Sequence, residues 1–160
     1  MGGEFAEVGD STTDVLVESA LWDPMNIAKS GRSLGIITDA RYRFERGVDP
    51  AFMEDGLELA TQLILDLCGG EPSEITVAGQ APASPTGFAF DSAHVHRLSG
   101  LDVSEDRIAE ILQALGFAIQ RGASWTVTPP SWRRDVEGPA DLVEEVARIE
   151  GFDRLPETPL

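Results

Sequence analysis

Ten residues near the middle of the chain, AGQAPASPTG at 78–87, carry no charge and two prolines. Proline fixes φ and removes a backbone donor, so neither a helix nor a central strand runs through it. The small residues around the prolines offer little apolar surface to bury. A chain of 160 residues interrupted there is expected to fold as two small units joined by a linker.

Each side of the linker carries its own punctuation. Residues 15–22, VLVESALW, predict a strand apolar on both faces and therefore central in a sheet. Asp23-Pro24 is a helix start, with the acid as cap and proline at the first helical position. Residues 30–47 read as irregular and arginine-rich, broken by Gly31, Gly35 and Gly47. Asp49-Pro50 repeats the helix-start signal. The stripe Met53, Leu57, Ala60, Ile64 and Leu67 then predicts a helix that stops at Gly69-Gly70.

Beyond the linker, Phe88 and Phe90 predict a strand, and residues 94–98 a short helix. Ser104 is placed to cap a helix with the apolar stripe Ile108, Ile111, Leu112 and Leu115, closed by Gly116. Residues 117–119 and 125–127 read as strands joined by a turn at 121–123. A last helix, from about Pro139 to Glu150, turns Leu142, Val143, Val146 and Ile149 to a core. The fold class is α+β.

Composition narrows the function. The chain is 42% hydrophobic and 25% charged, a globular mixture with no apolar stretch long enough for a bilayer. Its first fifteen residues hold acids and glycines where a signal peptide needs a basic start and an apolar run. The single cysteine, Cys68, excludes an internal disulfide and fits a reducing, cytoplasmic location. A net charge of −16, from 28 acids against 12 bases, opposes general adhesion to nucleic acid. The bases are uneven, however: Lys29, Arg32, Arg41, Arg43 and Arg46 lie close together with only Asp39 and Glu45 among them. They form either a local basic face or a set of surface ion pairs.

Two sets of carboxylates carry potential chemistry. Glu18 sits among apolar neighbours in the predicted strand, where an unpaired charge is costly. It is either one half of an internal ion pair with an arginine or a polar group lining a pocket. The second set is Asp135, Asp141, Glu144 and Glu145. On the last helix Asp141, Glu144 and Glu145 stand at i, i+3 and i+4, and Asp135 lies just upstream. Such a set is either a solvated acidic face or an oxygen-only cation site of the kind Mg²⁺ prefers, with Arg148 able to neutralise part of it. His94 and His96 lack a third ligand at zinc spacing. No phosphate loop and no nucleophilic serine motif is present.

Two long strings, TDARYRFERGVDP at 38–50 and SWRRDVEGPADLVEEVARIEGFDRLP at 131–156, resemble the bacterial phenylalanyl-tRNA synthetase beta chain. MGGE at 1–4, VLVESALWDP at 15–24 and CGGE at 68–71 agree with it in order and spacing. The resemblance covers nearly the whole chain and implies an internal segment of that beta chain. It places residues 1–77 in the second half of the B3/B4 editing domain, a partial mixed α/β unit, with 78–87 as linker. Residues 88–156 become the winged-helix-like B5 domain, and 157–160 lead towards a catalytic-like module.

The resemblance further implies an α2β2 enzyme that attaches phenylalanine to tRNA(Phe) using ATP and Mg²⁺, with an alpha subunit as partner. The segment alone is expected to be inactive. Gly2, Glu18 and Ala40 match positions of the editing pocket, where the glutamate reads the hydroxyl of a misattached tyrosine. Asp135, Asp141, Glu144 and Glu145 match the Mg²⁺ ligands, shared with the alpha subunit. Apart from the resemblance, the net charge predicts weak binding of tRNA by the segment alone, and any residual binding is expected to run through Arg32, Arg41, Arg43 and Arg46. Many relatives carry serine where this chain has Arg41, which is expected to alter the pocket rim. The competing reading is a winged-helix nucleic-acid-binding or structural interaction module. Its recognition helix, SEDRIAEILQALG, holds a single arginine, which argues against it.

Overall fold

The computed structural model describes residues 7–157. The chain divides into two compact units: residues up to Gly47 with Ala51–Ala81, and Val48–Pro50 with the residues from Pro82 onward.

Among the described residues the first unit is built from three α-helices. Helix α1 spans Pro24–Leu34. Asp23 caps it, Oδ1 accepting from the Asn26 amide at 2.7 Å, and Gly35 ends it in the left-handed region at φ 64°. Helix α2, Asp39–Phe44, begins at Thr38, whose hydroxyl accepts from the Arg41 amide at 3.1 Å. It lies inside the stretch expected to be irregular. Six residues with three charges present no apolar stripe, so only the Thr38 cap marks this helix in the sequence.

Helix α3 spans Met53–Cys68 and stops at Gly69. A 3-10 turn at Pro50–Phe52 precedes it, so Asp49-Pro50 opens that turn and Phe52 stands at the α-helical N-cap without a side-chain bond. The stripe is present, but it is not buried: Met53, Leu57, Ala60 and Ile64 are half-exposed and Leu67 is exposed.

The expected strand at 15–22 is absent; these residues pair with nothing as a strand among those described. Leu16 is 96% exposed. A strand exists only through its neighbour's backbone, and alternation in one segment does not supply that neighbour. Consequently the first unit, among its described residues, buries only Gly31.

The second unit matches its sequence signals closely. Strands β1 (Phe88–Phe90), β2 (Ala118–Gln120) and β3 (Trp125–Thr128) form an antiparallel sheet ordered β1-β3-β2. The register pairs Phe88 with Val127 and Phe90 with Trp125 on one side, and Ile119 with Val127 on the other. Phe90 and Trp125 meet edge to face with centroids 6.1 Å apart.

Three helices belong with this sheet: α4 (Ala93–Ser99), α5 (Glu105–Ala114) and α6 (Pro139–Glu150). Ser104 caps α5 as expected, and Ile108, Ile111 and Leu112 are buried. Leu142, Val143 and Val146 of α6 join them with Val95, Phe117 and Val127 in one apolar core. Full burial of a side chain of this size contributes about 1.5–3 kcal/mol, so this cluster dominates the unit's stability. Ile149, expected at the core, is 42% exposed instead. The helix has turned past the core there and ends at Gly151, φ 104°. Arg107 of α5 ties α6 down with its Nε on Glu150 at 2.8 Å.

Candidate functional site

The four acids singled out around α6 do not gather into one site. On a period of 3.6 residues Glu144 and Glu145 fall on opposite flanks of Asp141. Glu144 is exposed, whereas Glu145 is buried at 8% exposure, the one buried charged residue among those described.

Glu145 survives burial because both its oxygens are bonded. Oε1 accepts from Arg133 Nη2 at 2.8 Å and Oε2 from Arg148 Nη2 at 2.5 Å. Arg148 thus answers Glu145, three residues before it, and not Glu144. The same Arg133 grips Asp135 with two parallel bonds, Nε to Oδ1 at 2.8 Å and Nη2 to Oδ2 at 2.7 Å. Its guanidinium also lies 5.9 Å from the centre of the buried Phe117 ring.

The electrostatics agree with this geometry. Bonds to Asp135 and then Glu145 raise Arg133 further above its ordinary value, so it stays charged. Arg133 in turn holds the Asp135 carboxyl below the usual range. Burial pushes Glu145 up, but Arg133 and Arg148 together outweigh it and leave the carboxyl lowered. The cation that answers Asp135 and Glu145 is a guanidinium.

Asp141 has a different task. Its Oδ2 accepts from the backbone amides of Glu137 and Gly138, both at 2.9 Å, and so caps α6 at a glycine that has no side chain to do it. Asp141 and Glu144 line an open groove of about 500 Å³ with Leu98, Val143, Ala147 and Leu155. Among the described residues no group of three or more histidines, cysteines or acids could hold a metal. As a set of four, the acids do not fit one Mg²⁺ site within this chain. Sequence reading misses Arg133, the residue that decides this; its signal is an arginine two positions before Asp135 in the string SWRRDVEG.

The arginines of the first unit also divide. Arg41 is half-buried and pairs with Glu45 at 3.1 Å while donating to the Ile36 carbonyl. Its side chain lies so close to Gly31 that a Cβ there would meet Arg41 Nε at 2.2 Å, which explains why α1 has glycine at its only buried position. Arg41 is therefore a stitch between α1 and α2. Arg46 stacks over Tyr42 at 3.6 Å and bonds its carbonyl at 3.0 Å. Arg32 and Arg43 are exposed.

Glu18 and Ala40 are exposed as well. No strand forms over 15–22 among the described residues, so Glu18 is not buried there. Gly2 lies outside the described residues. His96 pairs with Asp102 at 3.0 Å on the surface.

The class is defined by two matches in series. Residues 1–69 match the family model described as the B3/4 domain, and residues 88–152 that of the tRNA synthetase B5 domain. The full chain is 56% identical to the phenylalanine–tRNA ligase beta subunit of Mesorhizobium japonicum and 54% identical to that of Brucella suis, spanning 20% of each. The beta subunit of Rhodopseudomonas palustris is 56% identical over 99% of the chain, again 20% of its length. The chain belongs to the phenylalanine–tRNA ligase beta-subunit family, as a segment that spans one fifth of the length of the curated relatives it matches.

Proposed function

We propose that this chain works within a phenylalanine–tRNA ligase that attaches phenylalanine to tRNA(Phe) with ATP and Mg²⁺, in company with an alpha subunit. The observation that carries this reading is the ordered pair of domain matches on a chain 54–56% identical to beta subunits along its whole length. In this reading residues 1–77 contribute to the B3/B4 editing domain, 78–87 link, and 88–156 form the B5 domain. Charging of tRNA for translation places its work in the cytoplasm. No helix among the described residues is long and apolar enough to cross a membrane. The segment alone catalyses nothing.

Gly2, Glu18 and Ala40 are proposed to serve the editing pocket. Glu18 accepts the hydroxyl of a misattached tyrosine, while the small residues leave room for the ring. A site built to bond a hydroxyl discriminates strongly against a substrate that lacks one. Both Glu18 and Ala40 are exposed among the described residues, so the pocket needs cover that those residues do not supply. Arg32 and Arg43, exposed beside them in sequence, are the better candidates for phosphate contact. Arg41 and Arg46 are engaged internally. Mg²⁺ belongs to the whole ligase in this reading.

The test is paired, on the complete ligase: deacylation of tyrosyl-tRNA and aminoacylation with phenylalanine, measured on the same variants. Glu18→Ala should weaken deacylation roughly ten- to a hundredfold, the worth of a hydrogen bond to a charged acceptor, and leave aminoacylation nearly unchanged. Ala40→Trp should give the same split by filling the pocket. Normal editing by Glu18→Ala would sink the assignment.

A further inference from the structure

We infer that Glu145 is a positioning residue: with Arg133 it forms a clamp that fixes where α6 begins, and it does not ligate a metal.

Arg133 sits in the loop that leads from Pro129-Pro130 into α6, and it makes three kinds of contact at once. Its fork takes both oxygens of Asp135 in the same loop, its Nη2 reaches Glu145 in the second turn of α6, and its plane lies over Phe117. Loop, helix and the entry to β2 are therefore joined through one side chain. Glu145 has no oxygen left over, because Arg148 takes the second.

A cation approaching Glu145 must first displace an arginine from a buried carboxylate, and the arginine would then lose a charged partner. Leaving one member of a buried pair uncompensated is the costly case. Mg²⁺ also sheds water reluctantly and gains little from an acid already neutralised.

The clamp also governs the residues between Asp135 and α6. Val136, immediately after Asp135, is 6% exposed in the core, and the amides of Glu137 and Gly138 come next, both held by Asp141 Oδ2. Fixing Arg133 to Glu145 holds this loop at the distance from α6 that the Asp141 cap requires. Asp141 and Glu144 are then presented together at the groove. The arrangement separates the acids by role: Glu145 and Asp135 hold the loop, and Asp141 closes the helix.

The experiment uses the complete natural chain in its native assembly, with Glu145→Gln, Arg133→Met and the double variant. Hydrogen exchange over residues 131–141 is followed by mass spectrometry, and binding of Mn²⁺, as a probe for Mg²⁺, by electron paramagnetic resonance. Each single variant should speed exchange of the Glu137 and Gly138 amides at least tenfold, and the double variant should add little to either. Mn²⁺ affinity should respond identically to the two single variants, whether it falls or stays. Unchanged exchange in Glu145→Gln overturns the clamp. A tenfold loss of Mn²⁺ affinity in Glu145→Gln without a matching loss in Arg133→Met overturns it equally, because that marks direct ligation. Should Arg133→Met fail to assemble, Arg133→Lys, which keeps the charge and loses the fork, should show the same changes at smaller size.

Discussion

The two units carry local signals of equal quality and reach different ends. In the first, Asp23 and Thr38 cap their helices and α3 has an amphipathic stripe, yet Met53, Leu57, Ala60 and Ile64 of that stripe are only half-buried and Leu67 is exposed. In the second, Ser104 caps α5 in the same way, and Ile108 and Leu112 of its stripe are 1% and 0% exposed. The difference lies in what the stripe meets. The second unit holds its own three-stranded sheet within a few dozen residues of every helix, whereas no strand accompanies the first unit's helices among the described residues. A capped, amphipathic helix states a demand for cover, and only a partner surface meets it.

The largest effect that could break this contrast comes from matched truncations. Leu112→Ala, in the core of the second unit, should cost about 2–5 kcal/mol in denaturant unfolding. Leu67→Ala, on the stripe of α3 where the side chain is 76% exposed, should stay within about 0.5 kcal/mol. Equal losses would mean that α3 is covered in solution, and the contrast would fall.

The caps give the next test. Ser104→Ala should lower the unfolding free energy of the second unit by about 1 kcal/mol, because its helix is part of a cooperative core. Asp23→Ala removes the same kind of bond from α1. It should shift helicity and amide exchange within the first unit and leave the second unit's midpoint where it was. A global shift from Asp23→Ala would show that the units unfold together.

A smaller effect should appear in acid. Arg107 holds the Glu150 carboxyl below its ordinary value. The folded state therefore favours the charged form. Its contribution is complete above the unfolded carboxyl's range and is lost as pH falls through the lower, folded value. Denaturant midpoints of the second unit should decline below about pH 4. Arg107→Gln should flatten that decline while changing the first unit's behaviour least of all.

The positions at which sequence and structure part share a cause. VLVESALW puts Glu18 on a buried strand because it alternates and is apolar, but alternation specifies a side-chain pattern and not a hydrogen-bonded neighbour. Helix α2 escapes notice because DARYRF has no stripe, and a short helix held by the Thr38 cap leaves almost no periodic trace. The acids of α6 read as one cluster because spacing along a helix is legible and the approach of a distant arginine is not. Arg133 stands 12 positions from Glu145, and no helical period connects them.

What the sequence alone determined was local: the capped starts at Asp23 and Ser104, the glycine stops, the strands of the second unit, and membership of a beta-subunit family. The structural features among these rest on dihedral limits, capping bonds and periodicity, all of which act over a few residues. Only the tertiary structure decided that Glu145 answers two arginines, that Arg41 stitches α1 to α2 across Gly31, and that α3 leaves its stripe uncovered. Each of these depends on which charge or apolar face arrives from elsewhere in the chain. Coulombic pairing and burial are set by distance in space, which spacing along the sequence does not encode.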